Sequence, residues 1–224
     1  MYFPRLDFKL MLDSLPFILS GLKYTIGIGL VSFFMGNILG IILTTLSMTE
    51  SKILQAFVKF YISFLRGVPA LVLLFILYFG FPIQMPALLA SIICFSLSSS
   101  AFIGEIYRGA LLGVPKEQWD AAYSQGCSYL QALRYIILPQ AFPLAVPGLG
   151  NVAMDMIKGT SLAAMITVPD IFQKAKIVGG RTFDYMSMYV EVAVIYWLLC
   201  IFISFLQKRL EIYLSYKVTD YTKK

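Results

Sequence analysis

Residues 24–49 read YTIGIGLVSFFMGNILGIILTTLSMT, 26 positions between Lys23 and Glu50 without one charged side chain. Crossing about 30 Å of hydrocarbon takes roughly 20 helical residues, so this stretch suffices for one transmembrane helix. Outward from it the pattern recurs. A second uncharged stretch runs for 38 residues from Gly67 to Gly104. It is too long for one helix, and FGFPIQMP (79–86) divides it, because Pro82 and Pro86 lack an N–H donor. The part before this break is short, so its helix is expected to begin near Ile53 and to carry Lys59 and Arg66. The part after it makes a third span from about Pro86. Residues 135–154 are uncharged but hold Pro139, Pro143 and Pro147, which argues against one straight helix there. A fourth span is placed at about 146–168, interrupted by Asp155 and Lys158, and VEVAVIYWLLCIFISFLQ (190–207) is the fifth.

Composition agrees. Charged residues make up 13% of the 224 and the AVILMFWYC set 59%, against roughly 25% charged in a soluble domain. Such a chain cannot cover itself with polar surface, which excludes a soluble globular enzyme. There is no His, which removes His-ligated zinc, His general bases and Ser–His or Cys–His nucleophile pairs. The three cysteines, Cys94, Cys127 and Cys200, are odd in number and scattered, so neither a disulfide framework nor a thiolate metal site is indicated. Nothing points to nucleic acid; the solvent is lipid. The expectation is one all-α membrane domain over residues 1–224 with about five spans.

Five spans put the termini on opposite faces. Of the 18 Lys and Arg, six fall on the N-terminal side and twelve on the other, or ten once Arg66 and Lys158, inside spans, are set aside. The positive-inside tendency then puts residues 105–140 and the C-terminus in the cytoplasm and the N-terminus outside. The first 23 residues, with Asp7 and Asp13 and no A-x-A site, are not expected to act as a cleaved signal. Their LDFKLMLDSLPFILSGL stretch reads as a short interfacial amphipathic helix. In the first span Gly27, Gly29, Gly36 and Gly40 are expected to permit close helix contact.

EIYRGALLGVPKEQWDAAYSQGCSYLQALRYIILPQ (105–140) is the longest polar stretch. It reads as a helix, a Gly-Val-Pro break and two short helices. Glu117 and Asp120 suit the positive end of the first of these. Trp119, Ala122 and Tyr123 give it one apolar face, which packs on the chain's own bundle, lies in the interface or fits a partner. Gly126 ends that helix or allows close approach, and Pro139 is expected to stop the next. Asp155 and Lys158, three apart near the middle of span four, read as a structural ion pair, as a site on a substrate path, or as both. They should face the bundle interior or a water-filled cavity. Arg66 suits either a snorkelling end or a pore. The hydroxyls of Thr160 and Ser161 either line that path or bond back to their own helix. Glu105 and Arg108, also three apart, read as a pair at the end of span three.

The spacing Asp120-Ala121-Ala122, three residues, Gly126, nine residues, Ile136, one residue, Leu138-Pro139 resembles the EAA loop of ABC importer permeases, with Asp in place of the leading Glu. FLRGVPALVLLFILYFG (64–80), EIYRGAL (105–111), ILPQAFPLAVPGLGN (137–151), TSLAAMITVPDIFQKA (160–175) and RTFDYMSMYVEVAVIYW (181–197) resemble the polar amino-acid branch of that family. Within the branch the chain is most similar to bacterial L-cystine permeases. One departure is Lys158-Gly159-Thr160-Ser161, where the family usually reads Lys-Asp-Thr-Ser.

The resemblance implies a type I importer in a bacterial plasma membrane. Two permeases, this chain with a second copy or a sister, would meet two ATP-binding cassette subunits and an extracellular solute-binding protein. A coupling loop at about 112–140 would dock on the ATPase through Glu117, Trp119, Asp120, Ala121, Ala122 and Gly126, and the substrate path would include Arg66, Asp155, Lys158, Thr160 and Ser161. The substrate would be L-cystine or another polar amino acid of the glutamine, glutamate, arginine or histidine type. No cofactor is expected in this chain, ATP and Mg being held by the partners. Independently, the chain has no GxxxxGK[ST] and cannot cradle a nucleotide in a Walker-type loop, so if transport is ATP-driven the energy must arrive through another subunit. It is read as non-catalytic. Two classes compete: a secondary carrier, although neither inverted repeats nor matching coupling-ion carboxylates are visible, and a structural subunit of a membrane complex, which would not need Asp155 and Lys158 in a span.

Overall fold

The computed structural model of the protein describes residues 6–80, 82 and 84–221, with side chains through Leu214. Ten α-helices form among them, and no strand: α1 (Phe8–Leu19), α2 (Leu22–Ser47), α3 (Lys52–Gly67), α4 (Ala70–Phe79), α5 (Ala87–Leu112), α6 (Lys116–Ser124), α7 (Tyr129–Ala132), α8 (Leu138–Gly159), α9 (Ile171–Thr182) and α10 (Tyr185–Tyr221). Positions 81 and 83 of the expected FGFPIQMP break lie outside the described residues, as do Arg5, Lys223 and Lys224 of the charge tally. Local chemistry sets the starts. α4, α5 and α6 each begin directly after a proline, Pro69, Pro86 or Pro115, held extended at ψ 134, 135 and 141°. A fixed φ and a missing N–H cost nothing at such a position. α1, α3 and α9 begin on Asp7, Ser51 and Asp170, whose side chains accept from the backbone amide three residues on.

Four helical runs are long and apolar enough to cross a membrane: α2, α5, Tyr129–Ile166 and Tyr185–Leu214. α3 and α4 qualify only together, and they are bent by 102°. The expectation of one uninterrupted helix from Ile53 therefore fails at Pro69, which pushes Val68 out of the helical region to ψ 130°. The bent pair still packs along α5. Tyr61 Oη lies 2.8 Å from Ser100 Oγ, the Cys94 thiol donates to the Ala70 carbonyl at 3.5 Å, and the connection ends at Pro86, the cap of α5. Counting the pair as one span gives the five that the uncharged stretches imply.

The fourth span departs further from expectation. Pro139 does not stop a helix: it sits in the first turn of α8, which continues through Pro143 and Pro147. A π turn at Leu133–Ile137 joins α7 to α8, and a 3-10 segment at Thr160–Ile166 carries the helix on. Three prolines four residues apart share one stripe, so the missing hydrogen bonds fall on one side. Ala141, Ala145 and Leu149 form the buried stripe on the other. Straddled local geometry, including wide π turns, lets membrane helices absorb proline.

The tightest packing joins α2 to α5. A Cβ on Gly36 would overlap Ser99 Oγ, and one on Gly40 would lie 2.7 Å from Ile103 Cγ2. Just beyond, the Thr44 hydroxyl lies 2.9 Å from both the Gly40 and Gly104 carbonyls, and Tyr107 Oη donates to Asn37 Oδ1 at 2.6 Å. Gly29 does the same for α8, where a Cβ would strike Ile157. Gly27 does not: a Cβ there meets nothing within 4 Å, so it serves no close contact within this chain. At the other end α1 buries Ile18 among Ile171, Ala175 and Met188, while Phe8 and Leu12 stay exposed, consistent with an amphipathic helix. Gly40→Val should destabilise the α2–α5 pair by roughly 1–3 kcal/mol through overpacking, whereas Gly27→Val should not. Thermal unfolding of the two variants in detergent checks this; equal midpoints would remove the close-contact role of Gly40.

Candidate functional site

The polar loop folds as a closed hairpin. Gly126 adopts φ +79°, the left-handed conformation that glycine takes without a Cβ penalty. Its N–H reaches the Tyr123 carbonyl at 2.9 Å and the Cys127 N–H reaches the Ala122 carbonyl at 3.1 Å. These two bonds together form a Schellman cap. Two residues later Ser128 and Gln131 form a reciprocal capping box that starts α7. The Trp119 and Tyr129 rings stack across the hairpin at 5.6 Å and 16°. Gln140 Nε2 donates to Gln118 Oε1 at 3.2 Å, tying the hairpin to α8.

Of the six residues expected to couple to a partner, Glu117, Asp120, Ala121 and Gly126 are exposed, and Trp119 is half-buried in its stack. Ala122 is 1% exposed. It holds the hairpin shut and offers no contact surface, a correction that follows from the turn folding back over it. The apolar surface that remains open joins Tyr123, expected on that face, with Leu130 and Tyr135, which were not singled out from the sequence. Only the fold of the turn tells which aromatic rings pack inward.

The charged pair of span four forms: Lys158 Nζ lies 2.7 Å from Asp155 Oδ1. It does not sit in the interior of the bundle. The Asp155 side chain is 73% exposed and that of Lys158 55%. The interior of one chain is filled with apolar and small side chains, so the pair turns outward onto two cavities. Asp155 lines both, one of about 190 Å³ with Ala70, Ser98, Ser99 and Phe102, the other of about 600 Å³ with Lys158, Asn151, Trp197 and Cys200. Thr160 is fully buried and donates to the Ile157 carbonyl at 2.7 Å; Ser161 donates to the Lys158 carbonyl at 2.7 Å. Both hydroxyls donate their protons to their own helix. Arg66 lies apart, in a cavity of about 750 Å³ between α3 and α5 lined also by Lys59, Ser63, Phe102, Glu105 and Arg108. Glu105 and Arg108 form the expected pair, two parallel bonds of 2.9 Å. Phe102 lines this cavity and the smaller Asp155 cavity alike. Lys59 and Phe102 were missed as site residues; the spacing of Lys59, seven before Arg66, was the available signal.

Asp170, in the connector between spans four and five, is fully buried. Its Oδ1 accepts from the Gln173 amide at 2.8 Å and Oδ2 from Tyr196 Oη at 3.4 Å, while the Ile171 amide reaches Thr25 Oγ1 at 3.4 Å. Burial raises its carboxyl from 3.8 to about 6, against the lowering effect of these bonds.

Residues 36–212 match the family described as the inner membrane component of binding-protein-dependent transport systems. The chain belongs to that family. It is 50% identical over 206 residues to the probable amino-acid ABC transporter permease protein YckA of Bacillus subtilis (strain 168), covering 91% of each chain. It is 38% identical over 200 residues to the L-cystine transport system permease protein TcyB of the same organism, covering 88% of this chain and 86% of that one. Its fold matches the solved structure of an amino acid ABC transporter with histidines at a TM-score of 0.87 and 30% identity, over 93% of this chain and 99% of that one. The chain is thus the permease subunit of an ABC amino-acid importer. Membership in this family sets aside the secondary-carrier reading. It also implies ATPase partners and a permease partner, the ATP-hydrolysing site lying in other subunits.

Asp170 generates a pH prediction. Its folded pKa lies above its unfolded one, so its contribution is full below about pH 4 and is lost as pH rises through about 6. A shift of this size corresponds to about 3 kcal/mol by pH 7. Asp170→Asn keeps an amide-capping oxygen and removes the charge, so its stability relative to wild type should rise between pH 4 and 7. Thermal unfolding across that range measures it; a flat difference would mean that Asp170 does not titrate there.

Proposed function

We propose that this permease imports a polar amino acid, L-cystine before others, by alternating access driven by ATP hydrolysis in its partner subunits. The observation that carries the substrate is the 38% identity to an L-cystine permease over 88% of this chain. The second reading is another polar amino acid, favoured by the 50% identical relative, whose description names no particular substrate. A solute-binding protein delivers the substrate from outside, and ATP and Mg are held by the cassette subunits. The N-terminus lies outside and the C-terminus in the cytoplasm, as the Lys and Arg asymmetry supports. Cysteines placed at Ser51 and Lys176 should then label from opposite faces.

The α6–α7 hairpin is the coupling element, docking on the ATPase through Glu117, Asp120, Ala121 and Gly126, with Trp119 and Ala122 keeping it closed. What supports this is a turn closed by a cap at each end with an open apolar surface, a shape suited to transmitting a push. Arg66, Asp155 and Lys158 line the path; Thr160 and Ser161 support its backbone.

Uptake in vesicles made with the partner subunits tests the function. Labelled cystine should enter only with ATP, be blocked by vanadate, and be displaced by unlabelled cystine in preference to glutamine, glutamate, arginine or histidine. Asp155→Asn should assemble with the ATPase yet lose most uptake; wild-type rates would take Asp155 off the path. For coupling, a Cβ at Gly126 meets nothing within the chain, so both Gly126→Ala and Gly126→Leu add only the left-handed strain of roughly 1–2 kcal/mol to the fold. Gly126→Leu should nevertheless uncouple ATP hydrolysis from uptake far more than Gly126→Ala does. Equal behaviour of the two would remove Gly126 from the docking surface.

A further inference from the structure

The cavity of about 750 Å³ between α3 and α5 is electrically unbalanced. Its one carboxylate, Glu105, is committed to Arg108 through both oxygens at 2.9 Å. Lys59 and Arg66 remain, seven residues apart on one stripe of α3 with the exposed Ser63 between them. Among the described residues neither is ion-paired with a carboxylate. The Arg66 guanidinium lies instead 5.3 Å from the centre of the Phe102 ring. Beyond Phe102 the next carboxylate, Asp155, is already taken by Lys158 at 2.7 Å. The cavity itself holds three cations, Lys59, Arg66 and Arg108, against one carboxylate, Glu105, which leaves a charge of +2, and Asp155 on the neighbouring cavity is balanced by Lys158. Both carboxylates are neutralised by i, i+3 partners on their own helices.

A water-filled concavity with low-dielectric walls focuses such a charge. A ligand carboxylate entering it meets an ammonium and a planar guanidinium fork that suits two parallel bonds. A ligand ammonium or guanidinium meets only carboxylates that already carry a cation, Glu105 with Arg108 and Asp155 with Lys158. We propose that this cavity is the charge filter of the importer: it holds the carboxylate of an amino acid between Lys59 and Arg66 and rejects amino acids with a cationic side chain. The proposal rests on the importer reading and narrows its substrate class to amino acids of zero or negative net charge.

The field can be read without a substrate. In the complex with its ATPase, free of nucleotide, Cys94, Cys127 and Cys200 are replaced by Ala and Ser63→Cys is introduced. An anionic and a cationic methanethiosulfonate reagent then compete for that thiol. The anionic reagent should be favoured at least tenfold over the ratio seen with a free thiol, and Lys59→Gln with Arg66→Gln should bring the ratio back to within twofold. The filter itself is read by equilibrium binding of labelled glutamate, glutamine and arginine to the same complex without a binding protein. Glutamate and glutamine should each be retained at least tenfold more than arginine, and Gly159→Asp with Arg66→Gln should erase that preference. A Cβ at Gly159 meets nothing within 4 Å and the residue lines the Asp155 cavity, so the added acid has room. A reagent ratio equal to that of the free thiol, or arginine retained as well as glutamine, overturns the filter. Failure of the importer reading looks different: the wild-type complex with its binding protein would take up no amino acid at all.

Discussion

The approach of α2 to α5 at Gly36 and Gly40 sets the position of almost everything that carries function. In lipid no hydrophobic drive pushes helices together, so contact depends on small residues that let backbones come close and on hydrogen bonds between helices. Here a Cβ on either glycine would collide with Ser99 or Ile103, and Thr44 adds a bond to the Gly104 carbonyl on the partner helix. With α5 held in this way, its outer face presents Phe102, Glu105 and Arg108 to α3, and its end leads directly into the α6–α7 hairpin. Gly29 extends the same logic to α8, which carries Asp155 and Lys158.

Proline does a second share of the work. The hydrocarbon core admits only backbone whose polar groups are satisfied internally, so each proline must fall where an N–H is dispensable or the helix can deform. Pro69, Pro86 and Pro115 fall just before helices, where they divide the chain cleanly. Pro143 and Pro147 fall inside α8 on one stripe, and the π turn at Leu133–Ile137 precedes them. The same residue type therefore breaks the chain at 69 and is absorbed at 143 and 147. The difference lies in what surrounds it: Val68 has gone extended, whereas the Ala141, Ala145 and Leu149 stripe is packed against α5.

Charge follows burial. Asp155 and Lys158 neutralise each other on one helix and open onto cavities, and so do Glu105 and Arg108. Asp170 is the contrary case, fully enclosed between α2, α9 and α10 and held by a cap and a tyrosine hydroxyl, so that burial governs its proton. Lys59 and Arg66 fit neither pattern, lining an open cavity with no ion-paired carboxylate of their own among the described residues.

The all-helical class, the four apolar spans and the hairpin in the polar loop are determined by the sequence alone, because each follows from short-range chemistry: uncharged length against bilayer thickness, a glycine that alone takes φ +79° freely, and a Ser-x-x-Gln capping box. Pairing of residues three apart is equally local, and so Glu105 with Arg108 and Asp155 with Lys158 are legible. Tertiary structure decided what spacing cannot encode. It buried Ala122 while leaving Ala121 open, turned Asp155 out of the bundle and put Thr160 inside it. It also brought Lys59 and Arg66 on α3 to one cavity with Phe102 on α5. A helix face is known from its period, but which face meets a neighbour depends on the approach and rotation of other helices, and those are set by contacts such as Gly40 on Ile103 that lie some 60 residues apart in the chain.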